Sequence, residues 1–251
     1  MLKKPTARDV GLVASLSALY AASTVLPGIP IVGAPGGKIS LSVVLAPVYA
    51  LLLGPYLGPL TILIGNLLAW ILPPGSPSPF GGLMVIPAVL GAVVTSSAVY
   101  RGRGWVASSA LLAALIAGWY ATWVGRNAPL YPIPHIIALL IPLVFQGRLA
   151  SWLQSDKKRL AAAVSLSSYA GIMTDHMTGN IIFIQAIGWL IPLKWVNSMV
   201  EGMGLPSVPA LFMYMLPVSM IERLSMTAAS AAIGIPLLLT LRASGLLPER
   251  W

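Results

Sequence analysis

The stretch MTDHMTGN, residues 173–180, holds the densest group of reactive side chains in the sequence. Asp175 supplies a carboxylate, His176 an imidazole and Asn180 an amide, and the residues around them are almost all apolar. Such a group could bind a metal ion, catalyse a reaction, contact a substrate or mark the end of a helix. His176 and Asn180 are four residues apart, so they share one face of any helix that contains them.

The rest of the chain offers few additional residues that could bind a metal ion or take part in catalysis. The sequence contains 2 histidines and no cysteine, whereas membrane metal carriers generally offer more imidazole, thiolate or carboxylate ligands. Intramembrane CAAX-type proteases combine an HxxxN pair with paired glutamates, but Glu201, Glu222 and Glu249 are isolated from one another. The GGK sequence at residues 36–38 lacks the spacing of a phosphate-binding loop. We therefore predict that the chain is not an enzyme, hydrolyses no ATP itself and carries no metal or cofactor.

The composition indicates a membrane protein. Of 251 residues, 57% are hydrophobic and 8% are charged, whereas soluble domains carry about 25% charged residues. The apolar residues form continuous blocks, several of them comparable to the roughly 20 residues that a membrane-spanning helix needs. Inside a bilayer such blocks must satisfy their own backbone hydrogen bonds, which favours helices. The sequence thus predicts an all-α, polytopic transmembrane helix bundle, with residues 1–251 forming a single integral-membrane domain.

We predict eight apolar segments, of which six to eight are true spans. They cover residues 10–26, 39–53, 58–72, 83–99, 105–123, 135–153, 160–180 and 224–242. Region 181–221 is ambiguous, because two apolar pieces flank a polar stretch. These pieces could be short, re-entrant or interfacial helices, or an additional pair of spans.

The distribution of basic residues predicts the orientation in the cell membrane. With the N-terminus inside, 11 of the 15 Lys and Arg residues lie on the inner side. Four lie outside: Lys38, Arg126, Lys194 and Arg223. This asymmetry predicts that both termini are cytoplasmic. It also accounts for the net charge of +9 without nucleic acid, for which no basic patch interleaved with aromatic residues is present.

Polar side chains from distant segments gather on the predicted outer side. They include Lys38, Arg126, Asn127, His135, Asp175, His176, Asn180 and Arg223. Ionisable groups at membrane depth are costly and are usually functional or paired. We predict a pocket for a small polar or anionic molecule, in which Arg126 and Arg223 are the natural partners of a carboxylate or phosphate. An ordinary wet interface is the alternative, with Asp175 at a helix end pairing with Lys194 or Arg223.

Two further patterns lie in the first third of the chain. Ala14, Ala18 and Ala22 recur every four residues, a spacing of small side chains that lets a second helix approach closely. That second helix could belong to the same bundle or to a partner. Asn66, with Trp70 one turn later, lies in the third segment, where its amide must face another helix or a cavity. It therefore predicts either a bond between helices or a contact with a solute.

Residues 8–99 resemble the substrate-binding (S) components of energy-coupling-factor vitamin transporters. The resemblance rests on the small-residue first segment, the glycine-bearing outer loop, PVYALLLGPYLG at 47–58 and the ILIGNLLA that follows. It implies a membrane subunit that binds a vitamin or other micronutrient near the outer surface. Ala14, Ala18 and Ala22 would dock on a transmembrane coupling subunit, and separate ATPase subunits would supply the energy. The loop from Gly33 to Lys38, with Gly36 and Gly37, would cover the solute.

Two other functions remain open at this point. One is a membrane-embedded enzyme that acts on lipid or peptide through Asp175, His176 and Asn180. The other is a structural subunit of a larger membrane complex, in which the alanine stripe serves assembly and the outer polar groups contact other chains.

Overall fold

The computed structural model describes residues 6–26, 29–30, 38–39, 42–75 and 77–245 of the protein. These residues form helices joined by short connections, with one antiparallel pair of two-residue strands. The elements are α1 (Ala7–Ser23), β1 (Ile29–Pro30), β2 (Lys38–Ile39), α2 (Ser42–Ile71), α3 (Pro79–Leu83), α4 (Ile86–Ala98), α5 (Gly104–Ala121), α6 (Trp123–Asn127), α7 (Ile133–Phe145), α8 (Arg148–Trp152), α9 (Lys157–Ala186), α10 (Leu193–Gly202) and α11 (Val208–Ala243).

Long apolar helices confirm the predicted helical membrane bundle. Within the described residues, 4 helical segments are long and apolar enough to cross a membrane by length and composition: Ser42–Ile71, which is interrupted at Gly54, Pro79–Ala98, Gly104–Ala121 and Val208–Ala243. Helix α7 is apolar but shorter. The count of six to eight spans and the cytoplasmic position of both termini stay predictions.

Helix α2 folds back on itself at Gly54. This glycine has φ 81° and ψ −174°, a conformation that side chains with a Cβ rarely adopt. A Cβ at Gly58 would lie 2.7 Å from the Cα of Ala50, whereas residues eight apart in a straight helix are separated by about 12 Å. The predicted segments 39–53 and 58–72 are therefore the two arms of a hairpin with a tight turn, as the sequence indicated.

The sixth predicted segment, 135–153, is wrong as a continuous helix. Helix α7 ends at Phe145, and Gln146 and Gly147 follow with φ 41° and φ 87°. Two successive left-handed residues redirect the chain before the short helix α8 begins. The apolar pattern continues through this break, so hydropathy alone does not reveal it.

Region 181–221 forms the end of one long helix, a short helix and the start of another long helix. Helix α9 extends to Ala186, and the polar stretch forms the short helix α10. Helix α11 then begins at Val208 and continues to Ala243, so the predicted start of the last segment at residue 224 is wrong. Pro217 lies within this helix. In the sequence, this proline and the charged residues Glu222 and Arg223 that follow it resemble a helix boundary. A proline is tolerated inside a membrane helix when neighbouring groups satisfy the freed carbonyl.

Helix α9 occupies the centre of the bundle, where it packs against α4, α5, α7 and α11. It is rich in serine and threonine, which bond to carbonyls of their own helix and so need no outside partner. Thr174 donates to the Ala170 carbonyl at 2.8 Å and Thr178 to the Thr174 carbonyl at 2.7 Å. A polar helix can thus be buried at low cost.

The helix begins at an N-cap, Asp156. Its carboxylate accepts hydrogen bonds from two backbone N–H groups, chiefly that of Arg159, which lowers the pKa of this exposed carboxyl.

Two glycines allow α4 and α9 to cross at very short distance. A Cβ at Gly91 would lie 2.7 Å from the Gly171 carbonyl oxygen, and a Cβ at Gly171 would lie 2.6 Å from that of Gly91. Neither position has room for a side chain. The same Cβ at Gly91 would lie 3.2 Å from the Cβ of Asp175. This crossing therefore fixes where the aspartate lies in the bundle.

Candidate functional site

Five polar residues from three parts of the chain are called here the Arg223 centre. They are Tyr131, His135, His176, Asn180 and Arg223. The first four contact one another directly, and Arg223 interacts electrostatically with Tyr131, His135 and His176. Met226, the neighbour of Arg223, packs against Ile172, one turn before His176 on α9. Tyr131 precedes α7 by two residues and His135 lies in its first turn, while His176 and Asn180 belong to α9 and Arg223 to α11. The prediction that His176 and Asn180 share one face agrees with this arrangement, since both reach the same tyrosine.

The Tyr131 hydroxyl joins α9 to the start of α7. Asn180 donates its Nδ2–H to this oxygen at 2.9 Å, and His176 Nε2 lies 3.3 Å from it. When the hydroxyl donates to Nε2, the ring proton of His176 resides on Nδ1. That nitrogen is buried and has no hydrogen-bond partner among the described residues. In this tautomer, one imidazole N–H of His176 is available to a ligand.

His135 and His176 stack on each other. Their ring centroids are 5.3 Å apart and the planes differ by 17°. His135 is 0% exposed and His176 is 8% exposed. Neither nitrogen of His135 makes a hydrogen bond within the described structure, although the Tyr131 carbonyl acts on the ring. The pair therefore presents buried imidazole nitrogens with unused hydrogen-bonding capacity.

Arg223 is the buried cation of the centre. It is 9% exposed, its Nη1 contacts the Met226 sulfur at 3.2 Å, and its Nε has no partner in the described part of the chain. A thioether is a weak acceptor and cannot neutralise a guanidinium, which keeps its charge in proteins. The direct contacts of Arg223 therefore leave its charge without a counter-ion among the described residues.

The nearby carboxylates do not pair directly with Arg223. Asp175 and Glu222 are each partly buried, and Arg223 acts on both electrostatically. The ion pair found within the described residues joins Arg159 and Asp156, so neither carboxylate is in contact with the guanidinium. These two acids lower the local positive potential without occupying the donors of Arg223.

Aromatic rings close one side of the centre. Tyr131 stacks on Trp119 with centroids 4.5 Å apart, and Phe212 meets both rings edge-on at 5.3 and 5.2 Å. Trp119 is 0% exposed and Tyr131 is 2% exposed. This wall excludes water, which strengthens electrostatic interactions within the centre.

Arg126 and Asn127, predicted to belong to the pocket, lie on the surface instead. Both are exposed, and each bonds to a carbonyl of its own neighbourhood: Arg126 to Ala121 at 3.3 Å and Asn127 to Trp123 at 2.8 Å. Asn127 also lines a surface cavity of about 430 Å³ between α6 and the start of α11. Of the two predicted arginines, the buried centre contains Arg223.

The helix-end alternative for Asp175 and His176 is wrong. Helix α9 continues to Ala186, so both residues lie within it and not at its end. Asp175 does interact electrostatically with Arg223, as that alternative expected, but no described ion pair links it to Lys194 or Arg223. The MTDHMTGN stretch therefore contributes side chains from the middle of a central helix to the interior of the bundle.

A second polar group, called here the Tyr20 cluster, consists of Tyr20, Ser42 and Asn66. Asn66 donates to the Tyr20 hydroxyl at 3.4 Å and to the Ile62 carbonyl at 3.1 Å, and Ser42 also bonds with the Tyr20 side chain. Asn66 thus bonds between helices. Trp70 lies at the end of α2, where its Nε1–H donates to the Ser78 carbonyl at 3.2 Å.

The remaining predicted residues divide into two groups. Gly36 and Gly37 lie outside the described residues, and of Lys38 only the backbone is described, paired with Pro30 between the two short strands. Ala14, Ala18 and Ala22 all lie on the exposed side of α1, whereas Val13, Ser17 and Tyr20 face the bundle. The alanine stripe is therefore not buried within the chain's own helix packing.

The sequence prediction missed Tyr131 and Tyr20. Tyr131 precedes His135 by four residues, a spacing that places two side chains on one helical face. Pro132 and Pro134 favour a loop at this point, however, and so obscure the signal. For Tyr20 no pattern in the sequence indicates that it meets Asn66, because 46 residues separate them.

Comparison with known proteins identifies an archaeal relative. The chain is 34% identical over 148 residues to the uncharacterized protein MJ0923 of Methanocaldococcus jannaschii; the match covers 59% of this chain and 49% of the relative. The chain thus matches about half the length of that protein. No protein-family model and no solved structure matches the chain.

Proposed function

We propose that this protein is the solute-binding membrane subunit of a micronutrient uptake system, energised by separate coupling and ATPase subunits. The single observation that carries the proposal is the Arg223 centre, a buried polar group with unused hydrogen-bonding capacity inside a helical membrane bundle. Polar residues at membrane depth mark solute or ion sites when their own chain leaves them unsatisfied. Both termini would be cytoplasmic, with the centre nearer the outer side.

The surface of α1 supports the docking part of the proposal. Ala14, Ala18 and Ala22 are exposed in the isolated chain, and small residues at this spacing let a partner helix approach closely in lipid. A Cβ at Gly11 would meet nothing within 4 Å, so this face is open toward the N-terminal end as well. The resemblance of residues 8–99 to S components assigns that face to a coupling subunit.

Co-purification tests this assignment. The tagged protein, extracted gently from its own cells, is expected to carry with it a second membrane protein and ATPase subunits. Replacing Ala14 and Ala18 by leucine should abolish the association, because bulky side chains keep a partner helix away. The matched control replaces Ala110 and Ala114, which are also exposed and four residues apart but lie on α5.

Native mass spectrometry of the same preparation identifies the solute. A bound small molecule that disappears on substitution of Arg223 supports the proposal. Recovery of neither ATPase nor coupling subunit, together with no bound small molecule, would overturn it. Equal loss of the partners in the α1 and α5 variants would mean that the alanine stripe has no special role in docking.

A further inference from the structure

We infer that the Arg223 centre binds the carboxylate of a small monoanion, a substrate class that rests on the proposed solute-binding function. The guanidinium of Arg223 would neutralise the carboxylate, and N–H groups of His135 and His176 would complete its hydrogen bonds. Arg126, with its exposed guanidinium, takes no part.

The first step is the unbalanced charge of Arg223. Its side chain is nine-tenths buried, its Nε has no partner among the described residues, and no described ion pair reaches it. Removing a charge from water without a direct partner costs several kcal/mol. An anionic ligand supplies that partner, and the planar fork of an arginine matches the two oxygens of a carboxylate.

The second step is the set of neutral donors beside it. His176 Nδ1 carries the ring proton when Tyr131 donates to Nε2, and that nitrogen is buried without a partner in the described structure. His135, stacked on His176 at 5.3 Å, has one N–H when it is neutral. The Tyr131 carbonyl interacts with its ring, but neither nitrogen has a hydrogen-bond partner of full geometry among the described residues, so this N–H can donate to a ligand instead. A carboxylate has about four lone-pair sites and can accept from all three side chains.

The third step favours a ligand with a single negative charge. The centre offers a single guanidinium, and two acids, Asp175 and Glu222, lie close enough to interact with it electrostatically. A dianion such as phosphate would face these carboxylates with one cation to balance it. A monocarboxylate forms a neutral pair with Arg223 and meets about half the repulsion that a dianion would meet.

The test uses the purified full-length protein in nanodiscs and two pairs of probes. Radiolabelled benzoate and acetate are the anions, and benzamide and acetamide are their uncharged counterparts. We expect saturable binding of at least one anion to one site, binding of its amide weaker by more than about tenfold, and no competition by inorganic phosphate. Saturable binding of neither anion, equal binding of acid and amide, or competition by phosphate would overturn the inference.

Two variants locate the site. Arg223→Met should reduce binding of the anion by more than about tenfold, whereas Arg126→Met, which removes the same charge from the surface, should leave it unchanged. Loss of binding in both variants, or in neither, would contradict the assignment. His176→Gln should weaken binding while Arg223 remains in place, which separates the imidazole donors from the charge.

The unfolding temperature of the ligand-free variants provides a second measurement, which tests the inference even if a variant folds poorly. An unneutralised buried cation destabilises the native state, so Arg223→Met should unfold at the same temperature as the wild type or higher. If Asp175 is the true counter-ion, Arg223→Met should instead unfold at lower temperature and Arg223→Met with Asp175→Asn should recover; this result overturns the inference. Failure of anion binding with intact co-purification of ATPase subunits would refute the carboxylate site alone and leave the proposed function standing.

Discussion

Two buried polar groups in this bundle, the Tyr20 cluster and the Arg223 centre, differ in how many of their polar atoms have hydrogen-bond partners. In the Tyr20 cluster the hydroxyl of Tyr20 meets Asn66 and Ser42, and the Asn66 amide also bonds to a carbonyl of its own helix. In the Arg223 centre the Nε of Arg223, Nδ1 of His176 and both nitrogens of His135 have no partner among the described residues. One group is satisfied by the chain itself, and the other is not.

The difference suggests that the first group stabilises the fold and that the second group binds a ligand. Hydrogen bonds between helices in a membrane contribute about 0.6 kcal/mol on average and up to about 1.7 kcal/mol, which suits the Tyr20 cluster as a modest link between α1 and α2. A buried polar group left without a partner costs about 1–3 kcal/mol. Several such groups beside a buried charge are expensive, which is understandable where a ligand completes them.

Asp175 lies between the two groups. It interacts electrostatically with Tyr20 on one side and with Arg223 on the other, and the Gly91–Gly171 crossing fixes its position. The comparison therefore depends on that crossing, because a shift of α9 against α4 would change both groups together.

Gly171→Val should have the largest effect. The new Cβ would lie 2.6 Å from the Gly91 carbonyl oxygen, and overpacking of this kind costs about 1–3 kcal/mol or more. We expect a strong loss of folded protein in size-exclusion chromatography and a lower unfolding temperature. Gly179→Ala is the control on the same helix, since its Cβ would meet Met84 Cε at an ordinary 3.5 Å. Equal stability of the two variants would contradict the close crossing.

Tyr131→Phe comes next and acts on the Arg223 centre. Loss of the hydroxyl leaves Asn180 Nδ2 and His176 Nε2 without their shared partner, at a cost of about 1–3 kcal/mol. A hydroxyl that donates to Nε2 holds the His176 proton on Nδ1, and its removal ends this preference, so benzoate binding should weaken severalfold. Nitrogen NMR of labelled histidine reports the tautomer directly. An unchanged His176 tautomer with unchanged binding would show that Tyr131 plays no part in positioning the ring.

Tyr20→Phe should cost less and should not affect binding. The Asn66 amide keeps its bond to the Ile62 carbonyl at 3.1 Å, so we expect a loss of about 0.6–1.7 kcal/mol in the free energy of unfolding. Benzoate affinity should remain that of the wild type. A loss of affinity as large as that of Tyr131→Phe would mean that the two polar groups form one continuous site.

The sequence predicted the helical membrane class and the hairpin at Gly54 because both depend on local pattern: continuous apolar blocks, and glycine beside proline at a turn. It also selected Arg223, His135, His176 and Asn180, because polar side chains are conspicuous in apolar sequence. It could not separate Arg223 from Arg126, since burial is a property of the packed bundle. The single long helix α11 was missed because Pro217 and a Glu–Arg pair resemble a boundary, although tertiary contacts can accommodate all three.

Tyr49→Phe should have the smallest effect and tests the comparison from the other direction. The Tyr49 hydroxyl is buried without a partner in the described part of the chain, yet it belongs to the apolar packing around Tyr20, whose ring lies 6.2 Å away. Among the described residues, burial is the only influence found on this hydroxyl. Removing an unsatisfied hydroxyl should therefore leave the free energy of unfolding unchanged or raise it by up to about 1 kcal/mol, with benzoate binding intact. Chemical denaturation measures the first quantity and titration with benzoate the second. A clear loss of benzoate affinity would place a ligand contact at Tyr49 and show that an unpartnered group near Tyr20 also contacts the solute.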